Sequence, residues 1–138
     1  MKFEFTMLVP VTITSEDIDD IMVAALEGGI THWCRRVEVV GESLGEYASD
    51  QISRGGTLRL FDSESSDTWL LTRDKFIEGF KLWLESGTCE SGVLIGSEVD
   101  TSGIDAECAD AIIQYALFGD LAVSYTHLRA HETRRHLV

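Results

Sequence analysis

The residues best suited to chemistry lie in one window, residues 32–54, where arginines occur beside aromatic and small polar side chains. A guanidinium binds phosphate through paired N–H donors, and an aromatic ring stacks on a flat base. The window therefore predicts a site for an anionic ligand that carries a flat ring. The candidate ligand-binding residues are Trp33, Arg35, Arg36, Tyr47, Ser49, Gln51 and Arg54. The alternative interpretation is structural, with a core Trp and Tyr beside solvated or salt-bridged arginines.

Other kinds of site have weaker support in the sequence. The acids of "DIDDIM" lack the glycine and the twelfth-position glutamate of a calcium-binding loop, and acids in the first turn of a helix interact favourably with its dipole. The three cysteines are far apart, so a zinc site is not expected. His32 and Cys34 point in different directions on a helical turn, so they do not form a nucleophile–base pair. We expect no enzymatic activity, no metal and no cofactor.

Charge restricts the partners further. The chain has 138 residues and a formal net charge of −13. This charge argues against direct binding to nucleic acid, because a nucleic-acid binder needs Lys and Arg to neutralise phosphates. An odd number of cysteines does not indicate a disulfide framework, and no apolar run is long enough for a membrane helix. The sequence thus predicts a cytoplasmic protein without membrane contact.

Hydrophobic periodicity predicts the elements that must position the candidate residues. Helices are expected after Thr14 or Ser15, over "TRDKFIEGFKLWLESG" and after Asp105, with a short helix before Gly55. Strands are expected over residues 2–13 and 35–40, in a hairpin of "TLRLFD" and "DTWLLT", and in "GVLIG". The expected fold is α+β: a single compact domain with a small, mostly antiparallel sheet and about three main helices packed on it.

The C-terminal residues 122–138 differ from the rest of the chain. They hold three of the four histidines, and they resemble translated sequencing-adapter DNA, for example over residues 123–127 and 129–132. We expect the native domain to comprise residues 1–121 and residues 122–138 to be a non-native tail. The tail holds three Arg and one Glu, so without it 11 basic and 24 acidic residues become eight and 23, a charge of about −15.

Three stretches carry a resemblance to a known family: "ITSEDIDDIMVAALEGGITHWC", "GEYASDQISRGGTLRLFD" and "DAECADAIIQYALFGDL". At these stretches the chain resembles small uncharacterised proteins encoded by phages, prophages and mobile elements of gut Firmicutes and other Gram-positive bacteria. The resemblance implies a context and no residue-level activity. Small phage accessory proteins without enzyme motifs often act against host defence.

Two functions are consistent with these observations. The first is a phage anti-defence protein of the host bacterial cytoplasm that binds and sequesters a nucleotide-derived immune signal, of the cyclic oligonucleotide or cyclic ADP-ribose type. In this hypothesis the arginines meet phosphates, Trp33 and Tyr47 stack on a base, Ser49 or Gln51 bonds its polar edge, and the chain forms a homo-oligomer. The alternative is an acidic inhibitor that imitates nucleic acid and blocks a host defence nuclease, as anti-CRISPR proteins do.

Overall fold

The fold is α+β, as predicted, with a three-stranded antiparallel sheet and three main helices. The computed structural model describes residues 1–5, 10–86, 94–95 and 98–120. The helices are α1 (Ser15–Ala24), α2 (Arg73–Glu85) and α3 (Ala106–Phe118), and the strands of the sheet are β1 (Cys34–Val40), β2 (Thr57–Asp62) and β3 (Thr68–Leu71). A small second pair consists of β4 (Leu94–Ile95) and β5 (Glu98–Val99).

Helix α1 begins where the sequence indicated. The Thr14 hydroxyl accepts a hydrogen bond from the Asp17 amide at 3.1 Å, and the Asp17 carboxylate accepts one from the Thr14 amide at 2.9 Å. These two bonds satisfy backbone donors that have no partner inside the helix. The helix continues as a π-helical turn over Ala25–Gly29, which the sequence did not predict. Leu26, in this turn, lines a cavity together with residues of β1.

The sheet has the order β1–β2–β3, and its two faces differ in character. Along β2, Leu58, Leu60 and Asp62 are buried, whereas the alternating residues are half-buried on the opposite face. The buried leucines belong to the hydrophobic core, which also includes Phe76 of α2. We call the opposite, solvent-facing side the outer face of the sheet.

One strand prediction and one helix prediction are wrong within the described residues. Residues 1–5 form no strand, and Phe3 and Phe5 are each 81% exposed. Residues 6–9 are not described; in the part of the predicted strand that follows them, Thr12 makes an isolated parallel bridge to Glu98. The short helix before Gly55 is reduced to a 3-10 turn, Ala48–Asp50, followed by hydrogen-bonded turns. A strand needs a neighbour for its backbone groups, and alternation in the sequence does not supply one.

Two other expectations fall mostly or wholly outside the described residues. Of "GVLIG", residues 94–95 form a strand, and residues 92, 93 and 96 are not described. The tail at 122–138 also lies outside the described residues. Among the helices that are described, none is long and apolar enough to cross a membrane.

The N-terminal cap of α3 gives a testable pH dependence. The Asp105 carboxylate accepts the Cys108 amide at 2.9 Å, and this hydrogen bond lowers the pKa of Asp105. A lowered folded-state pKa means that the stabilisation is present above the unfolded pKa of ~3.9 and is lost as pH falls through the folded pKa. Asp105→Ala should therefore lower the free energy of unfolding by about 1 kcal/mol at neutral pH.

Urea denaturation at neutral and at strongly acidic pH tests this expectation. Asp105→Ser is the matched control, because a serine retains the cap but does not titrate. The native chain should exceed Asp105→Ala in free energy of unfolding by less in acid than at neutral pH. The difference between Asp105→Ser and Asp105→Ala should not change with pH. An advantage of the native chain over Asp105→Ala that is the same at both pH values would contradict the assignment of the cap to the ionised carboxylate.

Candidate functional site

A bulge at the start of β1 brings two arginines together. Cys34 pairs with Asp62 and Arg36 pairs with Phe61, so Arg35 is an extra residue without a partner in the ladder. Adjacent residues of a regular strand point to opposite faces. Here both guanidinium groups lie by the ring of Phe61, with their Cζ atoms 5.2 Å (Arg35) and 4.3 Å (Arg36) from its centroid. We call Arg35 and Arg36 the arginine pair.

The remaining contacts of the arginine pair leave donors available for an anion. Arg35 donates through Nε to the backbone oxygen of Asp62 at 3.0 Å, which fixes the plane of its guanidinium. Arg36 makes an ion pair with Glu38, 2.8 Å between Nη2 and Oε2, but the two side chains are 53% and 45% exposed. Such an exposed ion pair is screened by water and is weak. Each guanidinium has five N–H donors, so an oxyanion has several to bind.

A groove runs from the arginine pair toward the turn at residues 47–50. One cavity of about 290 Å³ opens beside β1, and a second of about 380 Å³ adjoins it. Leu26 and Ala48 line both cavities, so the two cavities lie side by side along one surface. The first cavity is also lined by Ile30, Thr31, Cys34, Arg35, Arg36 and Val37, and the second by Val23, Glu27, Tyr47 and Ser49. We call this feature the β1 groove.

Four of the seven predicted residues line the β1 groove. Arg35 and Arg36 lie at one end, and Tyr47 and Ser49 lie at the other. Tyr47 is 65% exposed, so its side chain is accessible to a planar ligand. The turn that presents Tyr47 is held by a hydrogen bond from the Tyr47 amide to the Asp50 carboxylate, 3.2 Å long. The walls between the two ends are mainly apolar, which suits a nucleobase.

Trp33 and Gln51 were expected to contact a ligand, but both are 1% exposed and neither lines the β1 groove. The Trp33 indole packs edge-on against Trp69 and in a tilted arrangement against Phe118, with ring centroids 5.7 and 6.0 Å away, and is therefore a core residue. Gln51 accepts the Leu44 amide and donates to the Glu42 carbonyl, each at 3.0 Å, and so closes the loop between β1 and the 3-10 turn.

Arg54 is exposed but does not line the groove. Its side chain lies instead near Gly45, where an added Cβ would be 3.0 Å from its Nε atom. Trp33 and Gln51 thus fit the alternative interpretation of the window, in which its residues are structural. Arg54 is neither buried nor part of the groove.

The most conspicuous polar cluster was not found from the sequence. The carboxylate of Asp110, on α3, is 4% exposed and accepts three hydrogen bonds. The donors are Trp33 Nε1 at 2.6 Å, His32 Nε2 at 2.9 Å and Gln114 Nε2 at 3.1 Å, the histidine tautomer being assigned by this contact. The sequence feature that could have indicated this cluster is an aspartate among the apolar residues of α3. Because the cluster fixes residues 32–33, it also anchors the chain just before the bulge.

The described cysteines are poor nucleophiles. Burial raises the pKa of the Cys34 thiol, and burial together with the Asp105 side chain raises the pKa of Cys108 to about 11. Both thiols are therefore protonated near neutral pH, whereas the reactive form of cysteine is the thiolate. Within the described ranges, no group of three or more His, Cys, Asp or Glu residues is placed to hold a metal ion.

Taken together, the arginine pair and the β1 groove form a surface that can bind an anion at one end and a flat ring at the other. Phe61, which supports both arginines, was not among the predicted residues. The sequence feature that could have indicated it is an aromatic residue in the hairpin strand that pairs with β1. Comparison of the chain with protein-family models, with curated proteins and with solved structures found no match.

Proposed function

We propose that this chain binds and sequesters a nucleotide-derived signal molecule and acts as a phage anti-defence protein in the host cytoplasm. The observation that carries the proposal is the convergence of two guanidinium groups at one end of an apolar groove that ends at an exposed tyrosine. A phosphate would bind the arginine pair and a base would lie in the groove toward Tyr47.

The charge distribution supports a small ligand better than a long polyanion. Glu27 lies on the groove wall beside Tyr47, and the whole chain has a net charge of −13. A long nucleic acid would be repelled over its length, whereas a single nucleotide needs only a local positive end. Proteins that enclose such small ligands commonly use two chains, so we also propose a homo-oligomer.

The test is a sequestration assay with the full chain. The protein is incubated with AMP, cyclic dinucleotides, ADP-ribose and cyclic ADP-ribose, and protein-bound material is separated by filtration. The bound fraction is then heated and identified by mass spectrometry. A ligand that leaves the filtrate and returns with unchanged mass is the expected result. A changed mass would mean that the protein is an enzyme and would overturn the proposal.

The arginine pair supplies the decisive variants. Arg35→Ala and Arg36→Ala should each weaken binding about tenfold or more, because each removes charge-assisted hydrogen bonds worth ~1.5–3 kcal/mol. Lys81→Ala is the matched control, since Lys81 is an exposed cation on α2 that does not line the groove. Equal losses in all three variants would mean that only the net charge matters, which contradicts a site at the arginine pair.

A second proposal, an acidic mimic of nucleic acid, rests on a different observation. The Thr101 hydroxyl donates to the Asp20 carboxylate at 3.0 Å, and the Val99 amide donates to the Thr12 carbonyl at 3.3 Å. These contacts bring the acids of α1 close to those of residues 98–100. If every nucleotide stays in the filtrate, the sequestration proposal is wrong for those ligands. Inhibition of a defence nuclease, lost on neutralising Asp20 and its neighbours, would then support the mimic.

A further inference from the structure

The outer face of the sheet presents two rows of side chains beside the arginine pair. In the first row, Arg36 of β1 lies opposite Phe61 of β2, which lies opposite Thr68 of β3. In the second row, Glu38 lies opposite Arg59, which lies opposite Leu70. Thr68 and Leu70 are exposed and Arg59 is half-buried. The face is therefore accessible at the position where β1 leaves the groove.

This face concentrates positive charge in an acidic protein. Arg36 and Arg59 project from it and Arg35 reaches its rim at Phe61, whereas Glu38 is the one acid in the two rows. At the β3 side, Lys75 donates through Nζ to the Leu70 carbonyl at 2.9 Å. The side chain of Arg59 makes no hydrogen bond or ion pair with any residue in the described part of the chain. Its guanidinium donors are thus available to a ligand.

The spacing of the cations restricts the ligand. Arg36 and Arg59 are diagonal neighbours on adjacent strands, which places the two residues about 7–8 Å apart, with their Cβ atoms somewhat closer. A pyrophosphate, whose two phosphorus atoms share one bridging oxygen, would need the two guanidiniums to converge on one point, whereas the Arg36 guanidinium is held over the ring of Phe61. Phosphates separated by a nucleoside are farther apart and can meet the two guanidiniums individually. The Arg36 guanidinium, which lies over Phe61, also offers a planar surface on which a base can stack.

We propose that Arg59 binds a second phosphate, so that the ligand is a phosphodiester-linked dinucleotide and not a pyrophosphate compound. This inference rests on the proposed function, which places the first phosphate at the arginine pair. The ligand would extend from the β1 groove across the edge of β1 onto the outer face. Both linear and cyclic dinucleotides have the required chemistry, and they are distinguished below.

Glu38 provides a sharper test than the loss of a cation. Its carboxylate binds Arg36 and lies opposite Arg59, so it competes with a phosphate for the first and repels a phosphate at the second. Glu38→Gln removes the negative charge and keeps the shape of the side chain. This variant should bind dinucleotides about fivefold more tightly, since an exposed ion pair is worth up to ~1 kcal/mol. The matched control is Glu78→Gln, on the exposed side of α2.

The experiment measures the affinity of the full chain for AMP, linear pApA, cyclic diadenylate and ADP-ribose by calorimetry. We expect at least one dinucleotide to bind about tenfold or more tightly than AMP and ADP-ribose. Arg59→Ala should remove this margin and leave the affinity for AMP unchanged. Arg59→Lys should retain part of the margin, which separates loss of the cation from misfolding. Preference for the linear or the cyclic compound identifies the ligand type, and either supports the inference.

Two outcomes separate the inference from the proposal beneath it. If AMP and the dinucleotides bind equally and Arg59→Ala changes nothing, or if ADP-ribose binds tightest, the second phosphate site is wrong while the groove proposal stands. If none of the four compounds binds to the native chain, the proposed function fails and this inference fails with it.

Discussion

Replacing Asp110 by alanine is expected to lower the free energy of unfolding by about 3–5 kcal/mol. The buried carboxylate accepts hydrogen bonds from His32, Trp33 and Gln114, and these residues come from two distant parts of the chain. Removing it leaves the Trp33 indole N–H without its acceptor in a core where water does not replace it. A domain of this size is typically stable by only ~5–15 kcal/mol, so the loss is a large fraction of the total.

Urea denaturation followed by tryptophan fluorescence measures this effect. Asp110→Asn is the graded variant, because its amide oxygen still accepts the Trp33 N–H and the cost should be smaller. Glu107→Ala is the control on the same helix; Glu107 is exposed, and its loss should change stability by no more than ~0.5 kcal/mol. A loss below about 1 kcal/mol for Asp110→Ala would mean that the cluster is not structural in the way we describe.

The Asp110 cluster also connects stability to the proposed function. Residues 32 and 33 are attached to α3 through Asp110, and the bulge that orients the arginine pair begins at the next residue. The Ser63 amide donates to the Trp33 carbonyl at 2.9 Å and ties the same point to the end of β2. Asp110→Asn, if it folds, should therefore weaken ligand binding although Asp110 does not line the groove. Unchanged affinity would show that the bulge is held by the sheet alone.

The second large effect is expected at Gly79 in α2. A Cβ atom at this position would lie 2.5–2.7 Å from the backbone nitrogen, Cα and Cβ of Ala116 in α3. The obstacle is largely backbone, so a small side-chain rotation cannot relieve it, and the two helices must separate. Gly79→Ala should therefore cost about 1–3 kcal/mol, even though alanine favours a helix by ~1 kcal/mol over glycine.

Gly28→Ala is the matched control for Gly79→Ala. Gly28 lies in the π-helical turn, and a Cβ there would meet nothing within 4 Å. This variant should be neutral or more stable by ~0.4–1 kcal/mol, because alanine restricts the unfolded chain. Thermal unfolding of the two variants beside the native chain makes the comparison. A stabilised Gly79→Ala would show that α2 and α3 can separate at little cost.

The sequence by itself determined the helices and the hairpin, because their signals are local. Thr14 and Asp105 cap α1 and α3 within three residues of the groups that they bind, and apolar residues recur at helical spacing behind them. The alternation of Leu58 and Leu60 with outward residues likewise defines β2 without reference to any distant residue. Such signals identified the α+β fold and the window that contains the arginine pair.

Only the tertiary structure decided which residues of that window meet at a surface. Trp33 is directed into the core by Asp110, 77 positions along the chain, and Arg36 is directed onto the outer face by Phe61, with which it pairs across the sheet. The bulge that reverses the alternation at Arg35 exists only in the register between β1 and β2. Residues 1–5 form no strand for the same reason, since pairing requires a neighbouring strand. Local propensity is encoded in neighbouring residues, whereas burial, register and side-chain direction depend on contacts between residues far apart in the chain.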